Sequence, residues 1–153
     1  MSHVNARGDA RMVDVGGKAE TLREAVAEGE IRMSAAARRA IRSHAVKKGD
    51  ALQVARIAGI QAAKRTSEIV PLCHPLPLTS IEMDFRPGPG GYRIRSRVRT
   101  VGRTGVEMEA LVAVAAAALT IYDMLKAVDR GMVMGRIRLL EKRGGRSGEY
   151  RRR

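Results

Sequence analysis

Residues 104–128, TGVEMEALVAVAAAALTIYDMLKAV, constrain this chain more than any other stretch. No proline interrupts them. Gly102 and Gly105 punctuate the entry and Gly131 follows the end, so the segment predicts one long helix. Most of it is Ala, Leu, Met or Val, the composition of a core helix. Yet it begins with Glu107 and Glu109 and finishes with Asp123 and Lys126. At about 100° per residue, Glu109 and Asp123 fall within about 40° of each other, with Lys126 about 60° further round. Ala113, Ala116 and Thr120, all small, lie between them on that face. Such a face either lines a cavity or lets a second helix approach closely, with the charges as solvated ends. The second use is the commoner one, because unpaired buried charge is rare.

A chain of 153 residues with 44% hydrophobic content is one domain's worth and is not disordered. With 3% aromatics and no Trp, its core must be aliphatic. Every run of 18 residues has a polar break, which argues against a membrane span. No basic-then-apolar leader opens the sequence, and its single cysteine, Cys73, cannot form an internal disulfide; a cytoplasmic protein is expected. The net charge of +13 calls for an anionic partner. Arginine dominates the basic residues, so the few lysines stand out: Lys can release a proton when desolvated and Arg cannot. Lys48, Lys64 and Lys126 are therefore candidates for proton chemistry.

Residues 1–11 read as a loose N-terminus, 12–143 as one domain and 144–153 as a flexible basic tail. MVDVGGKAETLREA (12–25) takes no firm assignment to helix or strand. EIRMS (30–34) alternates like a strand, and 34–47 reads as a helix capped by Ser34. KGD (48–50) breaks the pattern, and Asp50 with Gln53 resembles a capping box for a helix over 51–68. That helix carries Val54, Ile57, Ala58 and Gln61 along one stripe, with Gly59 permitting close packing. Three prolines make IVPLCHPLPLT (69–79) a stiff loop that fixes His74. SIEMDF (80–85) and YRIRSRVRTV (92–101) form a hairpin across GPGG. Its second strand places Arg93, Arg95, Arg97 and Arg99 on one face, which is therefore wet or meets an anion. MVMGRIRLLEK (132–142) is a last strand.

The order strand, helices, strand, strand, helix, strand is the split βαβ, ferredoxin-like arrangement: an α+β fold with a four-stranded antiparallel sheet and helices on one face. That fold hosts many functions and decides none of them, and an oligomer is expected from its uncovered sheet face and edges.

The motifs are more specific. MVDVxxKAETxREA (12–25), KGD, ARIAGIQAAKRT (55–66), PLCHPL (71–76), TGVEMEAL (104–111), ALTIYDMLKAV (118–128) and KxGGxSG (142–148) stand in the order and spacing of the MoaC family, over nearly the whole chain. The resemblance implies a lyase of molybdenum cofactor biosynthesis. It would convert 3′,8-cyclo-7,8-dihydro-GTP, supplied by a radical-SAM GTP cyclase, to cyclic pyranopterin monophosphate with loss of pyrophosphate. It also implies a homohexamer, a trimer of dimers, with active sites shared between two chains. By resemblance, Asp123 is the active-site aspartate, and Lys126 and Lys48 are the acid–base lysines. Leu72, Cys73, His74, Met108 and Glu109 match substrate-binding positions. Glu107, Lys64, Lys18 and Arg23 match further positions lining the site, the last two towards the phosphates. No site position departs from the family pattern.

Those residue types suit the reaction. Ring opening and closing move protons on and off nitrogen and oxygen, so acids and bases must be in place. Expelling pyrophosphate needs cations around the triphosphate. Cys73 is not expected to act as a nucleophile. His3, His44, His74 and Cys73 lack zinc-ligand spacing. No tightly bound cofactor is expected, although Mg²⁺ can accompany the triphosphate. The rival from another class is a basic nucleic-acid-binding module of the same fold, favoured by the arginine strand. One Phe and three Tyr are few for the stacking platform such a module displays, so nucleic acid is not the expected partner. A regulatory domain binding a small ligand would have no need of an acid and a lysine paired on one helix.

Overall fold

The computed structural model describes residues 3–5, 7–145 and 148–153. The elements run β1 (Thr21–Arg32), α1 (Ala35–Arg42), α2 (Ala51–Lys64), α3 (Thr66–Ile69), β2 (Leu78–Gly88), β3 (Gly91–Gly102), α4 (Glu107–Leu125), β4 (Val133–Arg143) and β5 (Tyr150–Arg151). Among the described residues the sheet has five antiparallel strands in the order β2-β3-β1-β4-β5. The first four make the expected ferredoxin-like sheet. The fifth corrects both the four-strand count and the flexible tail: Glu141 pairs with Arg151 and Lys142 with Tyr150, and Arg152 N–H donates to Leu140 O at 2.7 Å. Arg146 and Ser147, part of the KxGGxSG motif, lie outside the described residues.

β1 is the element the sequence hides. Ala, Glu and Gly are poor strand formers, so TLREAVAEGEIR does not read as a twelve-residue strand. Pairing on both sides, with β3 and with β4, overrides that propensity. Its composition then makes sense face by face. Ala25, Ala27 and Gly29 turn a shallow surface towards α4, and a Cβ at Gly29 would sit 2.7 Å from Val114 Cγ1. The opposite face carries Glu24, Glu28 and Glu30. Glu24 takes Arg97 at 2.7 Å and Arg99 at 2.5 Å. Glu28 takes Arg95 at 2.9 Å, Arg138 at 3.3 Å and Arg93 at 3.8 Å. The anion awaited by the arginine strand is thus the neighbouring strand.

α4 is long and apolar enough to cross a membrane, but half of it is buried within the fold. It packs on β1, β3 and β4 from one side and on α2 from the other. Ser96 Oγ on β3 donates to Ala110 O at 2.7 Å, pinning the helix to the sheet. α4 starts at 107 rather than 104. It stops at 125 rather than 128, where the last turn tightens and Val128 N–H reaches Leu125 O. The small residues do admit a second helix: a Cβ at Gly59 of α2 would lie 3.0 Å from Ala113 O. The stripe that faces α4 is Ala51, Ala55, Gly59 and Ala63, not Val54 and Ile57, which are 39% and 56% exposed.

Caps follow the sequence. Ser34 Oγ accepts from Ala37 N–H, and Asp50 Oδ1 accepts from Leu52 and Gln53 N–H. Gln53 does not complete a box, since its carbonyl accepts from Arg56 Nε. α1 ends at 42 rather than 47 because His44 adopts φ 51°, a left-handed exit, and Ala45 N–H closes back on Ala40 O.

Candidate active site

Two adjoining clefts open beside the N-terminus of α4, and both are lined by Lys18, Thr104, Gly105 and Glu107. The first, of about 760 Å³, is basic: Arg23, Arg103, Lys142 and Arg143 join Lys18 against the carboxylates of Glu24 and Glu107. The second, of about 450 Å³, adds His3, Leu72, Cys73, His74, Met108 and Glu109.

Backbone geometry holds these groups. Arg23 is buried; its Nε donates to Gly102 O at 3.2 Å and its Nη2 to Arg103 O at 3.4 Å. Gly144 and Gly145, at φ +94° and +77°, lie directly against it: a Cβ on Gly145 would sit 1.4 Å from Arg23 Nη1. Only glycine fits both the left-handed backbone and the close approach. The proline loop is fastened by Thr100 Oγ1, which donates to Pro77 O at 2.7 Å, and by Cys73 N–H donating to Val70 O at 3.0 Å. That places Leu72, Cys73 and His74 in the second cleft.

Glu109 is the unusual carboxyl. It is 4% exposed, and burial pushes its pKa up to about 7; the charge of Glu107 adds to this and a bond from its own backbone N–H opposes it. It can therefore hold or release a proton near neutrality. A carboxyl whose folded pKa is raised costs nothing below its unfolded value near 4.5 and progressively more as pH rises through 7. Glu109→Gln is expected to leave the melting temperature unchanged at pH 4. It should raise it at pH 8, by up to roughly 3 kcal/mol of stability, as measured by thermal denaturation at the two pH values. Cys73 sits in the same cleft with its thiol pKa raised by burial and then by the Glu109 charge, the opposite of an activated nucleophile.

The remaining residues gather elsewhere. At the C-terminal end of α4, Asp123 accepts from Lys48 Nζ at 2.7 Å and pairs with Lys126 Nζ at 2.8 Å. Lys48 also donates to the Asp123 carbonyl at 3.1 Å. Hydrogen bonds from Lys126 and then Lys48 hold the Asp123 carboxyl down to about 2, and the bond to Asp123 raises the Lys126 ammonium. All three side chains are about half exposed. So Lys48 and Asp123 meet within one chain, while His74 and Glu109 do not join them. Fourteen helical residues, roughly 21 Å, separate Glu109 from Asp123. Lys64 is exposed in the last turn of α2 and lines neither cleft.

The MoaC family model matches residues 12–145. The chain belongs to the MoaC family. Cyclic pyranopterin monophosphate synthase from Thermomicrobium roseum is 58% identical over 154 residues, covering 99% of this chain and 93% of the relative. The enzyme of that name from Pelotomaculum thermopropionicum is 57% identical, with 99% and 91% covered. The one from Novosphingobium aromaticivorans is 56% identical over 151 residues, with 99% and 96% covered.

Within this MoaC chain, residue-by-residue reading of the sequence overlooked His3, Arg103, Lys142 and Arg143 as cleft-lining groups. Lys142 left a signal: it is one of few lysines in an arginine-rich chain and heads the KxGGxSG motif. Its Nζ lies 3.7 Å from Glu107. Arg103 and Arg143 left none, being two arginines among many.

Proposed function

We propose that this chain is a cyclic pyranopterin monophosphate synthase, converting 3′,8-cyclo-7,8-dihydro-GTP to cyclic pyranopterin monophosphate with release of pyrophosphate. Family membership supports the reaction, and the paired clefts support its division of labour. The single observation that carries the reading is a strongly basic cleft joined through Lys18 and Glu107 to one lined by carboxyls and imidazole. A nucleoside triphosphate has that polarity: anionic phosphates at one end, a ring of N–H donors and carbonyl acceptors at the other.

Lys18, Arg23, Arg103, Lys142 and Arg143 would neutralise the triphosphate and stabilise pyrophosphate as it leaves. Leu72, His74, Met108 and Glu109 would contact the ring system. Glu109 exchanges a proton near neutrality and serves as acid or base there. Mg²⁺ is proposed only as a companion of the triphosphate oxygens. Among the described residues no group of three His, Cys, Asp or Glu side chains comes together to hold a metal, and no step is routed through it.

Asp123 keeps two ammonium groups within reach of one another. Exposed in the single chain, Lys126 is a poor source of protons because its bond to Asp123 raises its pKa. Covered by a second copy, it loses solvent, and that desolvation works against the rise caused by Asp123. A second copy also removes the roughly 21 Å separation, by bringing its Asp123 cluster to the first chain's clefts. The exposed Val54 and Ile57 of α2 and Leu119 of α4 supply apolar surface for such a contact. The proposed assembly is a hexamer built as a trimer of dimers, fed by the radical-SAM cyclase that makes the substrate, with Lys64 reaching a site from the end of α2 only in that assembly.

The test is a coupled assay of the purified protein with GTP, S-adenosylmethionine and the radical-SAM cyclase. Cyclic pyranopterin monophosphate and pyrophosphate should appear together. Accumulation of the cyclic dihydro-GTP without either product would overturn the reading. The pairing of the β3 guanidiniums with Glu24 and Glu28 weakens the support that the arginine face lends to the nucleic-acid alternative.

A further inference from the structure

The family match begins at residue 12, and the described residues before it, 3–5 and 7–11, are tied to one another rather than trailing. Val4 and Ala10 form an antiparallel bridge, and Arg11 N–H donates to His3 O at 2.8 Å. Asn5 organises the turn: its Oδ1 accepts from Arg7 N–H at 2.9 Å and Asp9 N–H at 3.0 Å, and its Nδ2 donates to Asp9 Oδ2 at 2.9 Å. This small hairpin carries His3 to the second cleft, where it lines the wall with Cys73, His74 and Glu109.

The ring's chemistry is set by a second contact. His3 Nδ1 lies 3.3 Å from Arg11 O. A carbonyl oxygen only accepts, so Nδ1 is the protonated nitrogen of this contact, and Nε2 is an acceptor whenever the ring carries that single proton. With Nδ1 engaged by its own hairpin, Nε2 is the ring nitrogen left for a ligand in the cleft that His3 lines. We propose that His3 is a substrate-contacting residue of the ring cleft, accepting an N–H of the bound purine-derived heterocycle through Nε2. This rests on the synthase reading and extends it to a segment outside the family match. Such a ring presents several N–H donors, and a neutral acceptor meets one without placing a further full negative charge beside Glu107 and Glu109. His3 takes no part in proton transfer at the Asp123 cluster, so it acts on binding.

Wild type, His3→Leu and His3→Gln are compared in the coupled assay with steady-state kinetics in the cyclic dihydro-GTP. Leucine keeps much of the volume and supplies no acceptor. KM should rise about tenfold with kcat within about twofold, the size of one neutral hydrogen bond lost from a partly dry site. Glutamine places a carbonyl oxygen near the position of Nε2 and should restore KM to within about threefold. An unchanged KM in His3→Leu, or a Gln variant as impaired as Leu, overturns the inference while wild-type turnover stands. No product from the wild type overturns the synthase reading, and this inference with it.

Discussion

Asp123→Asn is expected to abolish turnover, lowering kcat at least about a thousandfold, while the protein stays folded and keeps its oligomeric state. The size follows from what one carboxylate holds. Both its oxygens carry an ammonium, Lys48 at 2.7 Å and Lys126 at 2.8 Å. An amide presents one acceptor and no charge. The two lysines then repel each other, and neither is kept in place to move protons at the substrate. The fold of each chain should not notice, because within one chain Asp123 and its partners are about half exposed. Kinetics beside thermal denaturation separate the two effects. A variant that retains a tenth of wild-type kcat would remove Asp123 from the chemistry.

The largest effect on stability is expected from Glu28→Gln. Its side chain is 9% exposed and lies among Arg93, Arg95 and Arg138. Burial raises the Glu28 pKa, but the Arg95 hydrogen bond, the Arg93 and Arg95 charges and the Arg138 hydrogen bond outweigh it and hold the carboxyl below its ordinary value. Removing its charge leaves three guanidiniums facing one another across the middle of the sheet. Because the arginines are half exposed, the cost falls at the low end for breaking a buried pair, about 3 kcal/mol. In a domain of this size that lowers the melting temperature by roughly 10 °C. Glu82→Gln, whose carboxylate is 61% exposed and 3.7 Å from Arg99, should change it by less than about 2 °C. Glu24 is lowered in the same way by its arginines against burial. Both carboxylates therefore contribute stability above the ordinary Glu pKa, and that contribution is lost as pH falls through their depressed values. The Glu28→Gln variant should show a smaller loss of melting temperature between pH 6 and pH 3 than wild type.

These two positions differ in how far the sequence disclosed them. Asp123 was legible, since a lone acid one turn from a lysine at the end of an apolar helix is conspicuous. Lys48 was legible as a candidate but not its contact, which depends on how the turn after α1 folds back over α4. Glu28 was hidden because β1 is rich in Ala and Glu, and only its central place in the sheet makes it a strand. The arginine strand was read correctly as one face; of its counter-charges, Glu24 lay in the segment left unassigned and Glu28 just beyond it. α2 misleads for a related reason. Val54 and Ile57 look like core, but close contact with α4 at Ala113 admits only Ala and Gly, so the bulkier stripe faces outward. β5 was missed because a two-residue strand among arginines carries no period.

The most direct test of the account is a mixing experiment with two defective variants. Asp123→Asn disables the lysine–aspartate cluster; the double variant Lys18→Ala/Lys142→Ala disables the phosphate cleft. Each alone should make almost no cyclic pyranopterin monophosphate. If each site joins the clefts of one chain to the Asp123 cluster of another, randomly mixed subunits place intact halves together in about a quarter of the sites. Activity should return to about a quarter of wild type after the two are dissociated and reassembled together. A reassembled mixture as inactive as its components, beside wild type that recovers fully from the same treatment, would contradict a site shared between two chains.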